Sequence, residues 1–209
     1  MSSVVAAGMD ADQTNASFVF RNSLKLGVIE SVIVLLFALV SRGLEGTAEL
    51  ALEAILLLVG LAAVTCLPGL WTRARTIEGI SGAAGIGLGA TVVFLLIDSF
   101  IYQQLHLYGH RWLDIGGGSN WWYHPVWWMT GTYLPWFGAW TLANQAAKGG
   151  APSAAMLMLT TLGLTVVVVV AAVLVGFPGA AWGLGTFGVA FLPALALTTL
   201  ISGLGARRS

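Results

Sequence analysis

The chain has very little charge and almost no cysteine. Nine basic and nine acidic residues make up 9% of its 209 positions, against about 25% in soluble domains. So sparse a charge cannot clothe a water-soluble fold, and a net charge of zero offers no basic surface for nucleic acid. Cys66 is the only cysteine, which excludes an internal disulfide. The first twenty residues contain Asp10, Asp12 and Gln13 and lack the basic flank and apolar run of a cleavable signal peptide. No polar linker interrupts the chain and no internal repeat stands out, so residues 1–209 are expected to form one integral membrane domain.

Apolar residues account for 57% of the sequence and gather in six long stretches. Their spacing predicts helices at 24–42, 50–71, 77–103, 124–146, 153–175 and 181–203. About 20 residues rising ~1.5 Å each cover the hydrocarbon core of a bilayer. Backbone groups in lipid must be satisfied within the segment, which excludes isolated strands. The Val-rich run Leu164–Val175 has strand propensity in water, but its length and setting favour helix. The expected fold is an all-α polytopic bundle of six transmembrane helices.

Orientation follows from the basic residues. Arg21, Lys25, Arg73, Arg75, Lys148, Arg207 and Arg208 fall on one side of this alternation, and only Arg42 and Arg111 on the other. Positive residues stay cytoplasmic, so both termini are expected inside, with 1–23 as a cytoplasmic tail and 104–123 as an external loop of a plasma-membrane protein. Helices in lipid associate through small residues rather than through apolar burial. Ser81, Gly85 and Gly89 of the third span, with Gly82 and Ala90, and Ala181, Gly185 and Gly188 of the sixth are expected to form the tightly packed centre. Pro135 and Pro193 are expected to kink the fourth and sixth spans.

The residues able to carry chemistry gather toward the external half. Asp98, Tyr102, His106 and His110 recur every fourth position and form one polar stripe if the third helix continues to Gly109. His106 and His110 at that spacing have the geometry to share a metal ion, with Asp98 to orient them and His124 at similar depth. Glu45, Glu49 and Glu53 place like charges on one face of the second helix and attract cations. Trp136 and Trp140 lie one turn apart beside Pro135, where they are able to line an apolar pocket for a flat or cationic ligand. Trp112, Trp121, Trp122, Trp127 and Trp128 read as an interfacial belt. Glu30, in the first span, is expected to reach back toward Lys25 or Arg73 at the cytoplasmic boundary.

Gly79-Ile80-Ser81-Gly82 resembles the nucleophile motif of rhomboid intramembrane proteases. That chemistry needs a histidine on a later span beside the serine. None follows His124, and the three histidines lie at the opposite end of the spans from Ser81, about 30 Å away across the bilayer. The motif therefore implies no protease. The expected function is non-catalytic: binding of a small molecule, lipid or cation from the external side, as a transport component or as a subunit of a larger membrane complex. Two alternatives are a metalloenzyme built on His106, His110 and Asp98, and a structural subunit of a pigment- or quinone-containing complex. The sequence specifies no cofactor.

Overall fold

A computed structural model describes residues 13–108 and 123–206. Every regular element among them is helical. Helix α1 runs Ala16–Gly43, α2 Gly46–Trp71, and α3 Ile77–Ile97 with a π-helical turn Asp98–Tyr102 at its end. Helix α4 runs Tyr123–Ala147, α5 Ala154–Leu174 and α6 Leu184–Gly203. Five of them, α1, α2, α3 with its π-turn, α5 and α6, are long and apolar enough to cross a membrane. The chain is thus a multi-pass membrane protein. The Val-rich segment is helical within α5, because in lipid the backbone has no partner but itself.

Helix α1 starts eight residues before the apolar run suggests. The Asn15 side chain accepts from the Phe18 amide at 2.8 Å and caps the new start. Asn22 and Ser23 of the added turns are buried rather than solvated. This longer α1 places Glu30 fourteen residues from Ala16 and thirteen from Gly43, about 20 Å from either end at ~1.5 Å per residue.

Successive helices alternate in direction. Helices α1 and α3 run parallel: Ser23 lies against Gly89, and Gly27 against Ala90 and Val93. Helices α4 and α6 do so too, with the Tyr133 hydroxyl on the Leu192 carbonyl, Thr141 on Thr199, and Asn144 on Ser202. Helix α4 runs against α3, with Phe94 meeting Trp127 at 4.9 Å between ring centres. It occupies the middle of the bundle, packed on α2, α3 and α6. It carries the polar side chains Tyr123, His124, Thr130, Thr132, Tyr133, Asn144 and Gln145.

The closest approaches centre on α4. A Cβ at Gly87 would stand 2.1 Å from the Gly131 carbonyl oxygen, and one at Gly138 would stand 1.9 Å from that of Thr65. Only glycine lets these backbones touch. The expected partnership of the third and sixth spans is therefore corrected. Helix α3 packs on α1 and α4, while Gly185 has no heavy atom within 4 Å of its Cβ position and Gly188 only the end of Leu57. A buried hydroxyl seam ties the last three helices: Thr161 donates to Thr198 at 3.1 Å, and Asn144 to the Thr199 carbonyl at 3.3 Å. Each hydroxyl also bonds a carbonyl one turn back, so none of these groups is left bare in an apolar interior.

Candidate functional site

The π-turn decides which side chains meet Asp98. In a π-turn the amide bonds the carbonyl five residues back, as Gln103 does to Asp98 at 2.9 Å and Leu107 to Tyr102 at 3.0 Å. The extra residue per turn breaks the four-residue stripe expected from the sequence. Gln103 rather than Tyr102 comes over Asp98, and its amide donates to Oδ2 at 2.6 Å. Tyr102 is turned toward α1, where its hydroxyl donates to the Ser31 carbonyl at 2.9 Å.

Asp98 is fully buried. Besides Gln103, its carboxyl accepts from the hydroxyl of Tyr108 and, at 3.2 Å, from that of Tyr123 at the start of α4. Three chain segments thus converge on one carboxyl, and all three donors are neutral. A carboxylate has about four acceptor positions, so these hydrogen bonds nearly fill it without supplying a counter-charge. Tyr123, one of its donors, packs with Phe94, Leu95, Val34 and Trp127 in an apolar cluster. Burial pushes the Tyr108 phenol well above its ordinary range, and its hydrogen bond to Asp98 pushes it the same way.

The segment after the π-turn is pinned from α1. The Arg42 guanidinium donates to the His106 carbonyl at 2.9 Å and to that of Leu107 at 3.2 Å. His106 sits in left-handed backbone, φ 50°, with its ring exposed and its Nδ1 3.1 Å from the Gln104 carbonyl oxygen. The helix does not continue to Gly109, so His106 is not on the face that Asp98 presents. His110 lies outside the described residues. His124 is half-buried at the start of α4, edge-on to Tyr123 with ring centres 5.5 Å apart. Among the described residues no three His, Cys, Asp or Glu side chains come together to hold a metal ion.

The remaining candidates lie apart from this cluster. Glu49 and Glu53 are half-buried on α2, and none of the hydrogen bonds of Asp98 involves them. Trp136 and Trp140 stack with ring centres 6.4 Å apart and planes 22° apart. Trp136 is 44% exposed, whereas Trp140 is half-buried and packs against the buried cluster of Ala74, Ile80, Ala83, Ala139 and Ala143. Two clefts open elsewhere. One, about 450 Å³ and apolar, lies between α2 and the α5–α6 hairpin, lined by Leu50, Val169, Trp182 and Phe187 among others. The other, about 340 Å³, lies at the opposite end of the bundle from Asp98, against Arg73, Arg75 and Pro152.

The chain matches no protein-family model, no curated protein and no solved structure. Its chemistry is therefore read from its own residues. The sequence singled out Asp98 and Tyr102. Tyr108, Tyr123 and Gln103 carried no signal of their own, because only the π-turn and the antiparallel return of α4 bring them to Asp98. Glu30 was visible in the sequence, but its setting was not. The Oε1 atom is shut away from solvent with no hydrogen-bond partner among the described residues, which corrects the expected reach toward Lys25 or Arg73.

Proposed function

We propose that the chain is a non-catalytic, six-span protein of the plasma membrane that takes a small cation or protonated amine from the external side at Asp98. It acts either as a transport component or as a subunit of a larger membrane complex. The observation that carries this reading is a fully buried carboxyl held at a π-turn by three neutral donors. Removing a carboxylate from water costs several kcal/mol unless an opposite charge offsets it. Arg42, the cation tied to this turn, donates to the His106 and Leu107 carbonyls instead. A site of this kind favours positive charge. Turns of π-helix also recur at functional sites.

Six crossings are supported by the place of α4. It runs parallel to α2 and α6 and antiparallel to α3, and an interior position accounts for its lower hydropathy. The basic residues Arg21, Lys25, Arg73, Arg75 and Lys148 all belong to the end opposite Asp98, which supports cytoplasmic termini.

Trp127 lies 6.1 Å from Tyr123, ring to ring, and makes the site visible by fluorescence. Titration of the purified chain with sodium, potassium and methylammonium chlorides is expected to give a saturable emission change with one of them. Asp98→Asn is expected to abolish it. No saturable response to any of the three, or an equal one in folded Asp98→Asn, contradicts the reading.

A further inference from the structure

Glu30 is a second carboxyl within a span, half-buried with one oxygen shut from solvent, and the Asp98 cluster does not account for it. It stands at the middle of α1 on the stripe that includes Leu26 and Ile33. Leu26 packs with Ile86 and Ala90 of α3 and beside Leu67 of α2. Ile33 comes within 3.5 Å of the Cβ position of Gly60 on α2. Glu30 lies between these two contacts, in the seam of α1, α2 and α3, and its Oε1 atom is shut from solvent with no hydrogen-bond partner among the described residues.

Among the described residues, the neighbouring helices bring no positive side chain to Glu30. Residues 57–68 of α2 and 86–97 of α3 contain no Lys, Arg, His, Asp or Glu. The one titratable group there, Cys66, packs in a different cluster with Leu134, Leu157 and Phe191. On α1 the nearest charge is Lys25, which is exposed. On α3 the next titratable groups are Asp98 and Tyr102. A carboxylate so placed, at mid-depth with no cation beside it, needs its charge offset, and a proton does so.

One hydrogen bond joins the Asp98 turn to α1 beside Glu30. Tyr102, at the end of that turn, donates to the carbonyl of Ser31, the residue after Glu30. The Ser31 hydroxyl in turn donates to the Gly27 carbonyl at 2.7 Å. This run of polar groups interrupts the apolar α1–α3 contact near Glu30.

We propose that Glu30 is a proton-binding station in the middle of the membrane, filled from the Asp98 side along the α1–α3 seam. A hydronium ion at that side gives its proton to the carboxylate and leaves as water; release is the reverse. The route, though not the station, rests on Asp98 being the entry for positive charge.

The test uses dicyclohexylcarbodiimide, an apolar reagent that adds to a protonated carboxyl and rearranges to a stable N-acylurea. The full chain is placed in sealed vesicles of known sidedness, and the adduct is read by mass spectrometry on the tryptic peptide 26–42. The expected result is an adduct on Glu30, absent from Glu30→Gln. Its rate falls several-fold when the Asp98 side is made alkaline at constant pH on the other side. In Asp98→Asn that dependence is lost. No adduct on Glu30 in the parent chain overturns the station, whether or not the variants fold. A rate that follows pH on the opposite side, or that keeps its dependence in Asp98→Asn, overturns the route. Labelling that follows pH on the Asp98 side supports the proposal even where Asp98 shows no response to sodium, potassium or methylammonium.

Discussion

Replacing Gly138 by alanine adds a single methyl group at the tightest contact between α2 and α4. The new Cβ would stand 1.9 Å from the Thr65 carbonyl oxygen and 2.8 Å from its carbon. Both are backbone atoms, so no side chain is free to turn aside. The two helices must part by more than an ångström before the contact becomes tolerable. Overpacking of this kind costs ~1–3 kcal/mol, against which alanine regains up to about 1 kcal/mol over glycine inside a helix. The net expectation is a loss of about 1–2 kcal/mol, because the strain falls on backbone and is only partly recovered by propensity. Equilibrium unfolding in mixed micelles, followed by circular dichroism, measures it. Gly163→Ala is the control, since no heavy atom lies within 4 Å of that Cβ position. It should leave stability unchanged or slightly raised. A Gly138→Ala chain as stable as the parent, or a Gly163→Ala chain that loses more, would refute the reasoning about helix contact.

Three further outcomes are expected. Tyr123→Phe removes one of the donors to Asp98 and should cost about 1–2 kcal/mol of unfolding free energy, as removing a hydrogen bond to a buried acceptor generally does. Tyr108 is held above its ordinary value by burial and by Asp98. The folded chain therefore favours the neutral phenol, and this contribution to stability is complete below about pH 10 and lost as pH rises beyond it. Melting curves should show an alkaline loss that is smaller in Tyr108→Phe. Thr199→Val removes the donor to the Leu195 and Phe137 carbonyls and breaks its bond with Thr141, and by the measured range for hydrogen bonds between membrane helices it should cost about 0.6–1.7 kcal/mol in the same micelle assay.

Much of the fold is legible in the sequence because a bilayer admits few solutions. An apolar run of the right length has to be a helix, which is why the expected spans and the observed helices differ mainly at their ends and why Val166–Val170 is helical. Polar residues at a helix start are harder to read. Arg21, Asn22 and Ser23 look like a tail, yet they belong to the early turns of α1, which place Glu30 at mid-depth. Packing partners are harder still. Gly85 and Gly185 look alike in sequence, but which glycines meet a neighbour depends on helix rotation, to which spacing alone is blind. The site was half legible. Asp98 stood out as an acid inside a span, but a single π-turn exchanged Tyr102 for Gln103 above it and removed His106 from its face. The stacked Trp136 and Trp140 are as close as expected, but Trp136 is exposed while Trp140 packs against the core.

The central claim is that Asp98 faces the exterior and the basic loops face the cytoplasm. With Cys66→Ala as background, single cysteines at Gly43 and Gly150 occupy open positions at opposite ends of the bundle. A membrane-impermeant maleimide added to intact cells should label Gly43→Cys at once and Gly150→Cys only after the membrane is opened. Labelling of Gly150→Cys in intact cells with Gly43→Cys protected would reverse the protein in the membrane and contradict the account.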